Sequence, residues 1–129
     1  VGTFLDGERL VAPTPADAGA LRGALGAKFF SGDGQALMDR AATLGPAQPI
    51  RFCAAWDYLD VVTGVTDYVS FTRTLPWDHA PGALICQEAG LMSARPTGDE
   101  YLPGGDVHGG ILTAHPSVWQ RVAGVIAQL

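Results

Sequence analysis

Residues 75–90 read LPWDHAPGALICQEAG. Leu75 and Pro76 leave an extended segment, and a helix opens at Asp78 and closes at Gly90. A proline in a helix interior costs about 3 kcal/mol, and Pro81 lies only three residues after Asp78. With the start at Trp77 or Asp78, Pro81 falls in the first turn, where backbone N–H groups lack helical partners anyway. The spacing therefore predicts a carboxylate at the positive end of a helix dipole and at the carboxyl edge of a strand. Such a position suits a capping aspartate, and it equally suits phosphate or a metal–phosphate pair. Spacing alone leaves both readings open.

Upstream, VGTFLDGERLVAP sets Asp6-Gly7 between apolar residues, a strong hairpin signal. Thr14-Pro15 then reads as the cap and first position of a short, glycine-weakened helix with Leu21 and Leu25 on one face. A short strand at Ala27–Phe30 follows, then a helix over 35–44 ended by Gly45-Pro46, with Leu37, Met38, Ala41 and Leu44 recurring at helical spacing. Ile50–Phe52 reads as a strand, and residues 54–64 as a helix whose buried stripe is Trp56, Leu59 and Val62 or Thr63. The β-branched and aromatic run Thr66–Thr72 is a further strand. Downstream come strands at Leu91–Ala94 and Gly110–Ala114, separated by a turn-rich segment. A closing helix opens at Pro116, with Val118, Val122, Val125 and Leu129 as its stripe. Regular alternation of this kind predicts one α/β domain, a layered sheet with helices on both faces.

The 129 residues suffice for one domain, and 47% apolar against 16% charged residues excludes a disordered chain. Thirteen acids against eight bases give a net charge of −5, which argues against nucleic acid or an anionic membrane as partner. No apolar run approaches the ~18 residues of a membrane span, and no signal peptide is legible at the start. Cys53 and Cys86 lie in apolar stretches without CxxC spacing, so both are expected as buried thiols in a reducing compartment, the cytoplasm. The chain enters its hairpin directly at Val1, as a piece of a longer protein would.

PWDHAPGALICQEAG resembles the second signature of the inositol monophosphatase family, in which a Trp-Asp-x-Ala-x-Gly pattern opens a helix ending in Glu-Ala-Gly. The flanks agree in order. GTFLDGERL resembles the strand pair before the family's C-terminal domain, RFCAAWDYLDVVTGVTDY the helix and strand before the signature, and GGILTAHPSVWQRV the closing strand and helix. The resemblance spans nearly the whole chain and implies a hairpin remnant of a preceding N-terminal domain at residues 1–12 and a C-terminal α/β domain at 13–129. It also implies a Mg²⁺-dependent phosphatase acting on small phosphate monoesters, with two or three metal ions that activate water and stabilise the leaving oxygen. Asp78 matches the signature's metal-binding aspartate, a fitting role for a cation that prefers oxygen ligands. Ala54 matches a residue whose backbone can meet the substrate, and His79 is a further candidate for contact with substrate or for shielding the metal, against a plain surface histidine.

The departures shape the expectation. The family's paired acidic motif and its Asp-Pro-x-Asp-Gly-Thr motif occur nowhere in the chain, so one carboxylate stands where the cluster needs four. The chain is accordingly expected to be inactive alone, with a missing N-terminal domain as partner and a homodimer as a further option. A phenylalanine, Phe52, stands in place of a flexible glycine, and Phe71 where inositol-type enzymes carry a substrate-binding glutamate. An ester with an apolar or planar part suits this better than a hydroxyl-rich ring, and nucleotide or sugar phosphates are the other substrate classes. The alternative function is a non-catalytic binding or interaction domain that keeps the fold without the cluster.

The remaining motifs read as structural. Asp57 and Asp60 share a helix face and are expected to be solvated. His108 and His115 form no ligand motif with Asp106, and the glycine-rich 104–110 segment lacks the Lys-Ser/Thr of a phosphate loop and reads as a flexible turn. No GxSxG serine is present, and Cys53 has no assigned histidine partner.

Overall fold

The structure is a computed structural model describing residues 1–27, 32–51 and 53–127. Phe4–Leu5 (β1) and Glu8–Arg9 (β2) pair antiparallel, with Asp6 and Gly7 between them at φ of 51° and 84°. Two consecutive left-handed residues are what an Asp-Gly hairpin turn requires. There follow Gly23–Leu25 (β3), Gly34–Ala42 (α1), Ala47–Pro49 (β4), Ala54–Thr63 (α2), Tyr68–Phe71 (β5), Pro76–Glu88 (α3), Met92–Ala94 (β6), Ile111–Ala114 (β7) and Pro116–Ile126 (α4).

The five longer strands form one sheet in the order β4-β3-β5-β7-β6. β3 runs parallel to both β4 and β5, whereas β7 runs antiparallel to β5 and β6. Side chains alternate across it. Tyr68, Leu112 and Ala114 face a core built with Leu37 and Ala41 of α1 and with Val118, Trp119, Val122 and Ile126 of α4. Val69, Phe71 and Ile111 face the other core, built with Tyr58, Val61 and Val62 of α2 and with Ala83 and Cys86 of α3. The expected layered sheet with helices on both faces is what forms.

Three local expectations fail. No helix follows Thr14-Pro15: Asp17 Oδ1 accepts the Gly19 N–H at 2.9 Å, a local turn that competes with helix. Gly23–Leu25 instead becomes the strand between β4 and β5, buried on both faces, where an apolar run without alternation is the normal pattern. β4 starts three residues earlier than the strand expected at Ile50–Phe52, because an edge strand tolerates Pro49. α3 starts at Pro76, so Pro81 is its sixth residue and lies beyond the first turn. The proline costs the exposed Trp77 carbonyl its helical partner, which water can replace.

Burial also differs in places. Cys86 is buried, its thiol pushed up to about 12 by desolvation, but Cys53 is exposed. In α2, Trp56 and Leu59 point outward (55% and 43% exposed), and Tyr58, Val61 and Val62 turn inward. The stripe of α4 is as expected at Val118 and Val122, joined by Trp119 and Ile126, whereas Leu129 lies outside the described residues. So do Phe52 and most of the strand expected at Ala27–Phe30. Among the described residues no helix is long and apolar enough to cross a membrane.

Trp119 is 1% exposed, and its Nε1–H donates to the Leu112 carbonyl at 3.0 Å, tying α4 to β7. Trp119→Ala is expected to cost about 3–5 kcal/mol in urea unfolding, the usual penalty for emptying a large aromatic site.

Candidate active site

Because β3, β4 and β5 run parallel, their carboxyl ends lie along one edge of the sheet, and α2 and α3 both begin there. In open α/β sheets this edge is where ligands bind. An open cleft of about 380 Å³ occupies it, lined from the β4–α2 side by Arg51, Cys53 and Ala54 and from the β5–α3 side by Phe71, Arg73, Trp77, Asp78 and His79. Asp78, Ala54 and His79, the three residues singled out in the sequence, thus share one cleft.

The helix termini decide its electrostatics. α1 and α4 carry side-chain caps: Asp33 accepts from the Gln35 and Ala36 N–H groups, and His115 accepts from Ser117. α2 and α3 have none, with Cys53 and Leu75 at the cap positions making no side-chain cap bond. Two helix N-termini without a capping side chain therefore meet at the cleft, and each brings partial positive charge. Asp78 is the third residue of α3 and exposed, so the capping role left open by its spacing belongs to the backbone of Leu75 instead. Ala54 is the first residue of α2 and half-buried.

His79 is not a surface residue. It is 5% exposed, its Nδ1 lies 3.0 Å from Tyr58 Oη, and its ring stands edge-on to Phe71 with centroids 4.5 Å apart. Burial lowers its pKa from the usual imidazole value; the Arg73 charge adds to this, while the neighbouring Asp78 and a hydrogen bond with the Arg73 backbone oppose it. Burial likewise raises the Tyr58 phenol, so both partners are neutral. The pair locks the first turn of α3 to α2. Gly82 makes this possible, since a Cβ there would lie 2.2 Å from the Tyr58 ring. His79 is the neighbour of Asp78, so this contact anchors the turn that carries the carboxylate.

Asp57 and Asp60 are buried as well, at 1% and 9% exposure, against the expected solvated face. Arg51 is the reason: its backbone N–H donates to Asp57 Oδ1 at 3.2 Å, and its Nη2 pairs with Asp60 Oδ2 at 3.0 Å. Burial raises the Asp57 pKa, the bond from Arg51 opposes that, and the charge of Asp60 adds to it. The glycine-rich 104–110 segment is a turn, as expected, but it wraps a buried cation. Arg95 Nη1 donates to the Gly110 carbonyl at 2.7 Å and to Thr74 Oγ1 at 3.1 Å, and its guanidinium lies 5.1 Å from the Tyr101 ring centre. Arg51, Arg73 and Arg95 carried no motif signal, because their placement depends on which loops the sheet brings together.

Among the described residues no three His, Cys, Asp or Glu side chains gather into a metal-binding group. Asp78 offers one exposed carboxylate to the cleft, which fits a single donor to a shared cation and does not fit a complete magnesium cluster.

These features define an α/β domain with an open cleft at the carboxyl ends of its parallel strands, where two helices begin. A sequence profile of the inositol monophosphatase family matches residues 2–128, and the chain belongs to that family. Its fold is similar to that of inositol monophosphatase from Anabaena (Nostoc) sp. PCC 7120, with a TM-score of 0.83 at 16% identity over 100% of this chain and 54% of that one. The Thermotoga maritima IMPase aligns with a TM-score of 0.80 at 22% identity over 97% and 47%. Inositol monophosphatase-II from Staphylococcus aureus aligns with a TM-score of 0.79 at 17% identity over 95% and 46%. The chain thus spans about half the length of these solved structures. No match was found among curated proteins.

Two outcomes follow for the cleft walls. Tyr58→Phe leaves the buried His79 Nδ1 without its partner and is expected to cost about 1–3 kcal/mol in urea unfolding. Asp57 holds its proton to higher pH when folded than when unfolded, so it opposes stability increasingly as pH rises from its ordinary value of 3.8 through the raised folded value. Stability of Asp57→Asn relative to wild type is therefore expected to climb across that window, read by urea unfolding between about pH 4 and about pH 7.

Proposed function

We propose that this chain is the C-terminal α/β portion of a Mg²⁺-dependent phosphatase that hydrolyses a small phosphate monoester. The observation that carries the reading is the convergence of two helix N-termini without side-chain caps and one exposed carboxylate, Asp78, on a single cleft. The phosphoryl group is held against the start of α2 at Ala54, where backbone N–H groups face the anion. Asp78 supplies one oxygen ligand to the metal, and His79, tied to Tyr58, keeps that carboxylate in place. When bound, Mg²⁺ activates the attacking water and stabilises charge on the leaving oxygen.

The remaining metal ligands come from a complementary N-terminal domain, because the chain spans about half of its solved relatives and its described residues hold no acidic cluster. Residues 1–12 belong with that domain, and residues 13–129 form the C-terminal one. The hairpin lies against α3 through Thr3 Oγ1, which donates to the Ile85 carbonyl at 2.6 Å. Outward-facing Trp56, Leu59, Leu84 and Ile85 on α2 and α3 offer an apolar surface for the missing half. The phosphatase works in the cytoplasm. Alone, the chain is inactive.

SaIMPase-II has been solved with inositol monophosphate bound and with 2′AMP bound. The exposed Trp77 ring on the cleft, with the largely buried Phe71 behind it, favours an ester with a planar or apolar part. A second reading, a binding domain without catalysis, draws on the lack of an acidic cluster among the described residues.

In the full-length protein, Asp78→Asn is expected to lower Mg²⁺-dependent phosphate release on the order of a hundredfold or more. Unchanged turnover would overturn the phosphatase reading of this cleft, and wild-type protein that binds phosphate esters without hydrolysing them would favour the binding domain.

A further inference from the structure

Among the described residues, the glycine-rich turn 104–110 supplies none of the cleft lining, yet it encloses the buried guanidinium of Arg95. Arg95 follows β6 directly and is 9% exposed, and no described carboxylate forms an ion pair with it. Its Nη1 donates to the Gly110 carbonyl at 2.7 Å and to Thr74 Oγ1 at 3.1 Å, and the Tyr101 ring centre lies 5.1 Å from its guanidinium carbon. A Cβ at Gly109 would lie 3.0 Å from that carbon, and one at Gly105 3.2 Å from Nη2. These glycines leave room for the cation. Neutral acceptors and an aromatic face replace the water it has lost, so turn and guanidinium hold each other in place.

Thr74 is where this unit meets the cleft wall. It is 2% exposed and held twice: its N–H donates to the Val107 carbonyl at 2.8 Å, and its Oγ1 accepts from Arg95. Arg73, one residue earlier, lines the cleft. Leu75, one residue later, caps α3, and its carbonyl accepts the N–H groups of Asp78 and His79 at 3.1 and 3.2 Å. A continuous chain of bonds therefore runs from Arg95 through Thr74 to the backbone that presents Asp78. The His79–Tyr58 contact holds the first turn of α3 by a side chain, whereas the Arg95 network fixes the peptide from which that turn starts. A carboxylate held in advance loses less freedom when it takes up a cation.

We propose that Arg95, seated in the glycine-rich turn and bonded to Thr74, is a positioning residue that sets the start of α3 and so tunes how tightly Asp78 holds its metal. The metal half of this statement rests on the phosphatase reading above. Thr74 is the link, and Gly109 is the space that lets the guanidinium reach it.

The test compares full-length wild type with Thr74→Val, Thr74→Ser and Gly109→Ala. Thr74→Val keeps the shape and removes the acceptor, Thr74→Ser keeps the acceptor, and Gly109→Ala crowds the guanidinium from a different element. Two quantities are read: the Mg²⁺ dependence of phosphate release, and hydrogen exchange at the Asp78 and His79 amides. Thr74→Val and Gly109→Ala are expected to raise the Mg²⁺ concentration for half-maximal rate by about tenfold, with kcat at saturating Mg²⁺ within about twofold of wild type. Both should speed exchange at the two amides while the amides of β5 and β7 stay protected, and Thr74→Ser should behave as wild type. An unchanged Mg²⁺ requirement in Thr74→Val would overturn the proposal, as would faster exchange throughout the sheet, which marks a purely structural Arg95. If wild type hydrolyses no ester, the phosphatase reading falls and exchange alone decides for Arg95. Faster exchange confined to Asp78 and His79 then supports its positioning role, and unchanged exchange overturns it.

Discussion

The close approach of α2 to α3 is the constraint on which the rest of the cleft depends. At Gly82 the Tyr58 ring occupies the space that any larger residue's Cβ would need. That contact sets the rotation of α2: Tyr58, Val61 and Val62 go inward, and Trp56 and Leu59 are left outside. It also brings the phenol within reach of His79, and so fixes the first turn of α3 and the direction in which Asp78 is offered. The same rotation carries Asp57 and Asp60 under the preceding turn, where Arg51 meets them. Both walls of the cleft are thus consequences of one helix–helix contact, with the parallel strands supplying the platform beneath.

Much of the fold was legible in local chemistry. Asp6-Gly7 demanded a hairpin, Gly45-Pro46 ended a helix, and the β-branched and aromatic run before residue 72 made a strand. The signature around Asp78 located the cleft, and Ala54 and His79 proved to line it too. What escaped the sequence depended on partners distant in the chain. Gly23–Leu25 has neither β-branching nor alternation, and becomes a strand only because β4 and β5 flank it. The aspartates of α2 follow a spacing that normally faces solvent, and only the returning Arg51 makes their burial tolerable. Arg95 lies in a segment without any charge motif, and its role as the centre of the glycine-rich turn appears only once Thr74 and Gly110 are adjacent.

Charge is distributed with the same logic. The chain as a whole carries −5, yet the cleft gathers two arginines and two helix N-termini around a single exposed carboxylate. Overall charge therefore says little about the cleft, where Asp57 and Asp60 lie buried against Arg51 and a small ligand experiences the local field.

The contrast between capped and uncapped helices has a thermodynamic consequence. α1 and α4 satisfy donors of their own first turns through Asp33 and His115, so those turns call for no bound partner. α2 and α3 begin without side-chain caps; at α3 Pro76 brings no N–H and the Leu75 carbonyl accepts from Asp78 and His79, so it is the start of α2 that most invites water or an anion. An anion that settles at the start of α2 takes the place of a missing cap and binds the native state in preference to the unfolded chain. Occupancy and folding are then linked quantities, with apparent stability rising as RT ln(1 + [L]/Kd). On this account the melting temperature of the domain registers its ligand directly, even where no chemistry follows.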